Sequence, residues 1–530
     1  MKRFTSLAAV VVAAAAFALP ASAFAQPTTL TNWSPGRQGG NAGQWQSLAV
    51  NPNNGNQLVS FQQNDGSQTY YSSGVWTSNG LLYAPLTNLT DEATTYVTPV
   101  GAYNPVTGGW LVVYIDNFGS GNYQAQLLNA DGSLSGSAQT ISDDPGVSCC
   151  SNPDIAWDSA KQQFFVVWSD YGDNGGQPQA RFVDPSTGAP LGSAPIELVT
   201  NAGDFDWEDY HSIQVAYSSK QDGFAIMFRG LLQSGGSWRP YFLRLNSNGQ
   251  PIGTPQMISS GSNLEISNGS IAYSKSKNRY AVAWSDYDDV GDPVLVQLFN
   301  AATGAAVGSP VPQTLPSDAG SGRNRIQISA DEFGGGYAIT SFTTNNTSGN
   351  TEIYALWLDD AAQSIGTPAW VSGGLSDALR PQIAFDRSSG CFRITHIGQD
   401  ASTSDWDIYA SQVGTAGVEG CSSPPSGNKK PSLKKAGNAG ATSLRVKVGC
   451  GGASACRIKL SGKLKGGSGK VEGKTVKVKA GKKKTVTLTY TSALISELSG
   501  RSGSKIKVSA KQVGGKSSTI TVRVPDSVTG

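Results

Sequence analysis

The densest chemistry in the sequence lies in eight residues, Asp204-Phe205-Asp206-Trp207-Glu208-Asp209-Tyr210-His211. They hold four carboxylates, three aromatic side chains and one of the chain's two histidines. Paired carboxylates are what glycoside hydrolysis needs. One acts as general acid and the other as nucleophile or base, about 5 to 5.5 Å apart when configuration is retained. Asp206, Glu208 and Asp209 are the candidates for such a pair, with His211 as a base beside them. The plainer reading of the same residues is a solvated acidic loop, and no serine or cysteine nucleophile accompanies His211.

Other segments repeat the theme. Asp170-Tyr171-Gly172-Asp173-Asn174 and Asp286-Tyr287-Asp288-Asp289 are acidic and aromatic, while Arg323, Arg325 and Arg380 supply cations and Trp33, Trp45, Trp370 and Trp406 supply flat apolar faces. The candidate ligand-binding set is Asp170, Asp173, Asp204, Asp206, Trp207, Glu208, Tyr210, Asp286, Asp289, Arg323, Arg325 and Arg380. Three chemistries compete for it. Carboxylates and carbonyls suit Ca²⁺, although no run has the spacing of a calcium-binding loop. Aromatic faces beside Asp, Asn and Arg suit an extracellular glycan or a protein ligand. Paired acids suit hydrolysis. Ser169-Asp170 recurs as Ser285-Asp286, which points to a scaffold role rather than a unique catalytic one. The expectation is a binding or scaffold protein more than an enzyme, with a glycoside hydrolase using Asp206, Glu208, Asp209 and His211 as the alternative. No cofactor other than Ca²⁺ is suggested. With only His211 and His396, and no zinc-like pair of cysteine pairs, the sequence argues against a zinc or haem enzyme.

These residues need elements to hold them, and the elements repeat. Ile155-Ala156-Trp157-Asp158, a polar turn and Phe164-Phe165-Val166-Val167-Trp168-Ser169-Asp170 read as strand, hairpin and strand. The pattern returns at Ala49, Ala102, Ala156, Ala216, Ala272, Ser329 and Ala384, between 53 and 60 residues apart. A third strand and a glycine-marked turn follow, then a fourth strand such as Glu197-Leu198-Val199-Thr200. Four strands per repeat without helical periodicity predict an all-β chain with a seven-bladed β-propeller over residues 26–421. The last repeat lacks a clear fourth strand. Thr29-Leu30-Thr31-Asn32 resembles the missing text, so residues 28–32 are expected to complete blade seven and remove an open edge.

The ends of the chain differ from its middle. Met1-Lys2-Arg3, an apolar run and Ala23-Phe24-Ala25 form a signal peptide, residues 1–25, too short in its apolar part to span a bilayer. The expected location is secreted or attached to the cell surface, without a transmembrane segment. Export permits disulfides. Cys391 and Cys421 are placed to tie down the last blade, and Cys450 and Cys456 flank a glycine-rich turn. Cys149-Cys150 can be a vicinal bond, two free thiols or partners of the other cysteines; the oxidising compartment favours the vicinal bond. After a linker, 422–432, residues 433–526 alternate apolar and polar as a small Ig-like β-sandwich. Residues 429–530 carry 23 Lys and Arg against 3 acids, and residues 26–428 carry 15 against 35. The basic module suits an anionic cell-envelope polymer. Nucleic acid is not expected, because no reading element or aromatic stripe accompanies the charge.

The text Ile155-Ala156-Trp157, Phe165-Val166-Val167-Trp168 and Gly192 resembles tandem repeats of large exported bacterial proteins over about residues 45 to 420. Leu444 to Val524, with Cys450, Cys456 and Lys482-Lys483-Lys484-Thr485-Val486, resembles small sandwich modules at the C-termini of exported actinobacterial proteins. Neither resemblance implies a catalytic set.

Overall fold

The computed structural model describes Thr28 to Val524 except residues 33–41, 65–68, 79, 91–96, 117–120, 143–151, 170–177, 200–204, 207–212, 233–238, 260–268, 286–293, 321–323, 334, 374, 400–405, 415–431, 437–441, 450–455, 479–481, 500, 502–503 and 513–516. The chain divides into two compact units, with Ser422 opening the main part of the second.

In the first unit, antiparallel sheets follow one another along the chain, most built of four successive strands, while the last joins three successive strands to the N-terminal Thr28–Asn32. Asp154–Asp158, Gln163–Ser169, Pro178–Val183 and Pro190–Glu197 are typical, paired in that order. The second strand explains why the sheets stack. Phe164, Val166 and Trp168 enter a core shared with Leu111, Val113 and Ile115 of the preceding sheet, whereas Phe165 and Val167 enter a core shared with Val215, Ile226 and Phe228 of the following one. Alternation at period two thus buries both faces, and an unbroken apolar run is the sequence such a strand requires. Each large apolar side chain buried this way contributes roughly 1.5–3 kcal/mol.

The same sharing recurs from sheet to sheet. Leu58 and Tyr71 pack with Trp110 and Val112, and Ala338 and Trp357 pack with Phe392 and Ile394. Val59, Phe61 and Trp76 of the first sheet share a core with Ile397, Ile408 and Ala410 of the last. Strand Thr28–Asn32 pairs antiparallel with Trp406–Val413, Thr31 opposite Ala410. Asp377–Asp386 also meets the preceding sheet through one parallel bridge, Thr351 to Asp377. Beside the fourth sheet, the two-residue strand Phe205–Asp206 pairs with Leu231 and Leu232.

The second unit has two smaller sheets. Ser432–Lys435, Ser443–Gly449 and Lys483–Thr489 form one; Lys470–Val478, Cys456–Leu464, Lys505–Gln512 and Ser517–Arg523 form the other. Leu444, Val446, Ile458, Leu460, Ile506 and Val508 meet in one core. Helix Ser492–Leu498 starts where the Thr491 hydroxyl accepts a hydrogen bond from Leu494 N. Among the described residues no helix is long and apolar enough to cross a membrane.

Candidate functional site

Four positions before the small Ala or Ser of each repeat, within the first strand or just ahead of it, stands one equivalent residue. Trp45, Thr98, Asn152, Arg325 and Arg380 are the described occupants. In three sheets the pairing of the first strand slips at this point, between Ala42 and Gln46, Asn324 and Gln327, and Leu379 and Gln382. A bulge of this kind re-aims a side chain. At two of them the backbone enters the left-handed region, with φ of 63° at Arg325 and 55° at Arg380. Non-glycine residues held there cost of order 1–3 kcal/mol, and such sites cluster at ligand clamps.

Both arginines converge on one ring. The guanidinium carbon of Arg325 is 3.9 Å from the centroid of the Trp45 ring, and that of Arg380 is 3.6 Å away. The indole face attracts each cation. A guanidinium stacked on a ring keeps its N–H edge in its own plane, where it can still fork onto a carboxylate or phosphate. Burial pushes the Arg380 guanidinium down to about 10, so it stays charged at neutral pH.

The residue after Trp45 supports this arrangement. Gln46 Nε2 donates to Arg380 O at 2.9 Å and to Thr395 O at 3.1 Å, and Gln46 Oε1 accepts from the Thr395 hydroxyl at 2.8 Å. His396 is fully buried next along, its ring stacked on Tyr409 at 5.8 Å. Neither of its nitrogens meets a hydrogen-bond partner, and burial pushes the imidazole down to about 3, so it is neutral. His396 is therefore a packing group.

Two residues past the Trp45 position, side chains reach from one first strand to the next. Ser47 Oγ accepts from Gly101 N at 3.2 Å, and Asp154 Oδ2 accepts from Val215 N at 2.7 Å. Gln214 Oε1 accepts from the Ser270 hydroxyl at 3.4 Å. Asp154 as a residue is half-buried, but its carboxyl is enclosed. Burial pushes it up to about 7 against the downward pull of the Val215 and Ile155 N–H groups. Ser47 makes the equivalent bond, so the bridging role belongs to the repeat. The near-neutral proton belongs to Asp154 alone among these bridging side chains.

Of the candidates named from sequence, Arg325 and Arg380 come together, on Trp45. Asp206 lies in a described strand whose side chain is not placed. Asp170, Asp173, Asp204, Trp207, Glu208, Asp209, Tyr210, His211, Asp286, Asp289 and Arg323 lie outside the described residues, as do Cys149, Cys150, Cys421 and Cys450. The strand ends flanking two of those segments are placed, with Ser169 opposite Pro178 and Ser285 opposite Val294. Cys391 is buried at the start of Cys391–Gln399 and is disulfide-bonded. Trp370 spends its N–H on Asp318 at 3.1 Å and packs edge-on to Tyr354. Among the described residues no three or more His, Cys, Asp or Glu come together to hold a metal ion. Sequence reasoning missed Gln46 and Asp154. The signal for both was the repeat register, read three and two places upstream of the small residue.

No family model and no curated protein matches the chain. Among solved structures, it is similar to hydrazine synthase of Kuenenia stuttgartiensis, at 11% identity over 70% of this chain and 95% of that one, with a TM-score of 0.42. It is similar to a Dos1 propeller at 12% identity over 74% of this chain and 97% of that one, TM-score 0.41. It is also similar to the α-L-arabinanase of Penicillium chrysogenum complexed with arabinobiose, at 10% identity over 73% of this chain and 98% of that one, TM-score 0.40. The class defined is an all-β protein of repeated four-stranded antiparallel sheets resembling propeller blades, with a smaller sheet module. The comparison corrects one expectation. The sequence favours a non-enzymatic role, but two of these three structures are enzymes by name, so that preference does not stand. At these identities and TM-scores the likenesses say nothing of what this chain acts on.

Proposed function

We propose that the chain is an exported, carbohydrate-active protein. Its first unit is a closed ring of seven blades, fastened by Thr28–Asn32, with the first strands innermost. A glycan seats where those strands begin, against the N–H edges of Arg325 and Arg380, whose guanidiniums the buried Trp45 ring holds in place. Glycosidic cleavage falls to a carboxylate pair drawn from Asp206, Glu208 and Asp209, with His211 beside them. Calcium held by the acidic segments around Asp170, Asp204 and Asp286 belongs to the same proposal, as does a Cys391–Cys421 bond. The basic unit favours an anionic polymer of the cell envelope.

One observation carries this reading. Two arginines at equivalent repeat positions, each in the left-handed backbone region, converge on a single tryptophan. Paired guanidiniums held on a buried tryptophan keep their N–H edges in fixed planes, and such paired donors are the chemistry that grips the acidic groups of a sugar.

The test is release of reducing ends from a panel of neutral and acidic polysaccharides by the protein from Gln26 onward, with and without a calcium chelator. Cleavage of an acidic polysaccharide is expected. Asp206→Asn or Glu208→Gln should lower kcat by at least 100-fold, and Trp45→Ala should raise KM. Binding without cleavage of any member would remove the hydrolytic half of the proposal.

A further inference from the structure

The four-stranded sheet of the basic unit carries an arrangement that solubility does not explain. Alternation sends Ile458, Leu460, Ile506, Val508 and Val522 into the core and leaves lysines on the outer face. The register then sets like charges directly opposite one another. Lys463 faces Lys470 on one side and Lys507 on the other, Lys459 faces Lys511, and Lys505 faces Arg523. Directly opposed like charges destabilise a sheet. A face selected only for solubility would interleave signs. Among the described residues none of these seven cations is in an ion pair, and the face's one described acid, Glu472, lies at a break in the register. The other sheet has one such pair, Lys434 opposite Lys447, and its third strand sets Thr485 and Thr487 opposite Lys447 and Arg445.

The rest of the unit narrows what this face meets. Tyr490 is the one aromatic residue in 429–530, and it is buried, so no platform for stacking bases accompanies the charge. Among the described residues the unit's one exposed large hydrophobic, Ile495, is on the helix rather than on this sheet, so the described sheet face offers no apolar wedge to a bilayer. Cation rows spaced about 4.8 Å across strands and about 6.8 Å along them form a lattice of point charges rather than a fork-shaped pocket. Such a lattice senses charge density along a chain.

We propose that this face binds a linear polyphosphodiester without bases, of the teichoic type found in cell envelopes. The proposal rests on the reading of the basic unit as polymer-binding and assigns that role to one sheet. It also implies that binding is maintained at the expense of sheet stability.

The experiment uses the full chain from Gln26 and poly(glycerol phosphate), with the dissociation constant followed across salt concentration. Lys459→Gln, Lys463→Gln and Lys507→Gln combined should lower the slope of log K against log salt by about 2, since each phosphate contact contributes about 0.7. Affinity at low salt should fall at least 10-fold while Tm holds or rises. Lys434→Gln, Arg445→Gln and Lys447→Gln on the other sheet should change affinity less than 3-fold. Equal loss from both triple variants would overturn the assignment to this face while leaving polymer binding intact. Tighter binding of oligo(dT) of equal charge would overturn the choice of polymer. Absence of binding by the parent protein to either probe would sink both the assignment and the reading it rests on.

Discussion

Arg380 stands with its guanidinium carbon 3.6 Å from the centroid of the Trp45 ring, while its own carbonyl accepts the side-chain amide of Gln46. Two consecutive residues of the first sheet thus hold one residue of the last at both its side chain and its backbone. The clamp accounts for the persistence of a left-handed arginine, because a strained conformation survives where its surroundings over-determine it.

Backbone strain and ligand contact at Arg380 can be separated by substitution. Arg380→Gly and Arg380→Ala lose the same guanidinium, but glycine tolerates φ of 55° and alanine does not. Arg380→Gly is expected to be more stable than Arg380→Ala by about 1 kcal/mol in urea unfolding. Both should lose at least 10-fold in affinity for an acidic glycan. Equal stability of the two variants would show that the turn carries no strain.

Asp154 predicts a pH dependence. Its folded pKa of about 7 lies above the ordinary value of 3.8, so the folded state holds a proton that the unfolded state releases between those pH values. Its stabilising contribution is complete below about pH 4 and is lost as pH rises through 7, with an upper bound of about 4 kcal/mol. Asp154→Asn keeps an oxygen for Val215 N and removes the titration. The variant should be more stable than the parent at pH 8, and the difference should shrink or reverse at pH 5.

His396 acts with the opposite sign. Its folded pKa of about 3 lies below the ordinary 6.5, so the unfolded state binds the proton first. Stability is complete above about pH 6.5 and falls as pH drops toward 3. Between about pH 4 and 6.5 the two groups offset each other, and the parent should show a flat profile. His396→Phe keeps the stack on Tyr409 and should expose the Asp154 slope alone, with stability rising as pH falls from 7 to 4.

Much of this architecture was legible because one rule governs it. A strand buried on both faces must be apolar throughout, and Phe164 to Trp168 obey that rule. The small residues that set the repeat were legible for the same reason. The Arg325–Trp45–Arg380 contact was not. It depends on sheets from the two ends of the first unit coming together and on bulges that no glycine marks, since arginine itself occupies the left-handed position. Asp154 was hidden differently. Its side chain reads as polar and exposed until the N–H of Val215 on the next sheet encloses it. The acidic segment 204–211 was conspicuous by composition, but composition does not fix the separation of carboxylates on which hydrolysis turns.

The buried ion pair of the last sheet yields a non-additive prediction. Arg393 Nη2 and Nε reach Asp386 Oδ2 at 2.9 and 3.2 Å, and Arg393 Nη1 donates to Gln412 Oε1 at 2.6 Å. Asp386 is fully buried and Arg393 nearly so. Removing one partner leaves the other charge uncompensated in a low-dielectric setting, which costs about 3–5 kcal/mol, whereas replacing both with apolar groups of similar volume is often close to neutral. Arg393→Met and Asp386→Leu should each lower stability by about 3 kcal/mol or more, and the double variant should recover at least half of their summed loss. Urea unfolding of the four proteins closes the cycle. Simple additivity of the two losses would mean that Arg393 and Asp386 are each held mainly by other groups, such as Gln412.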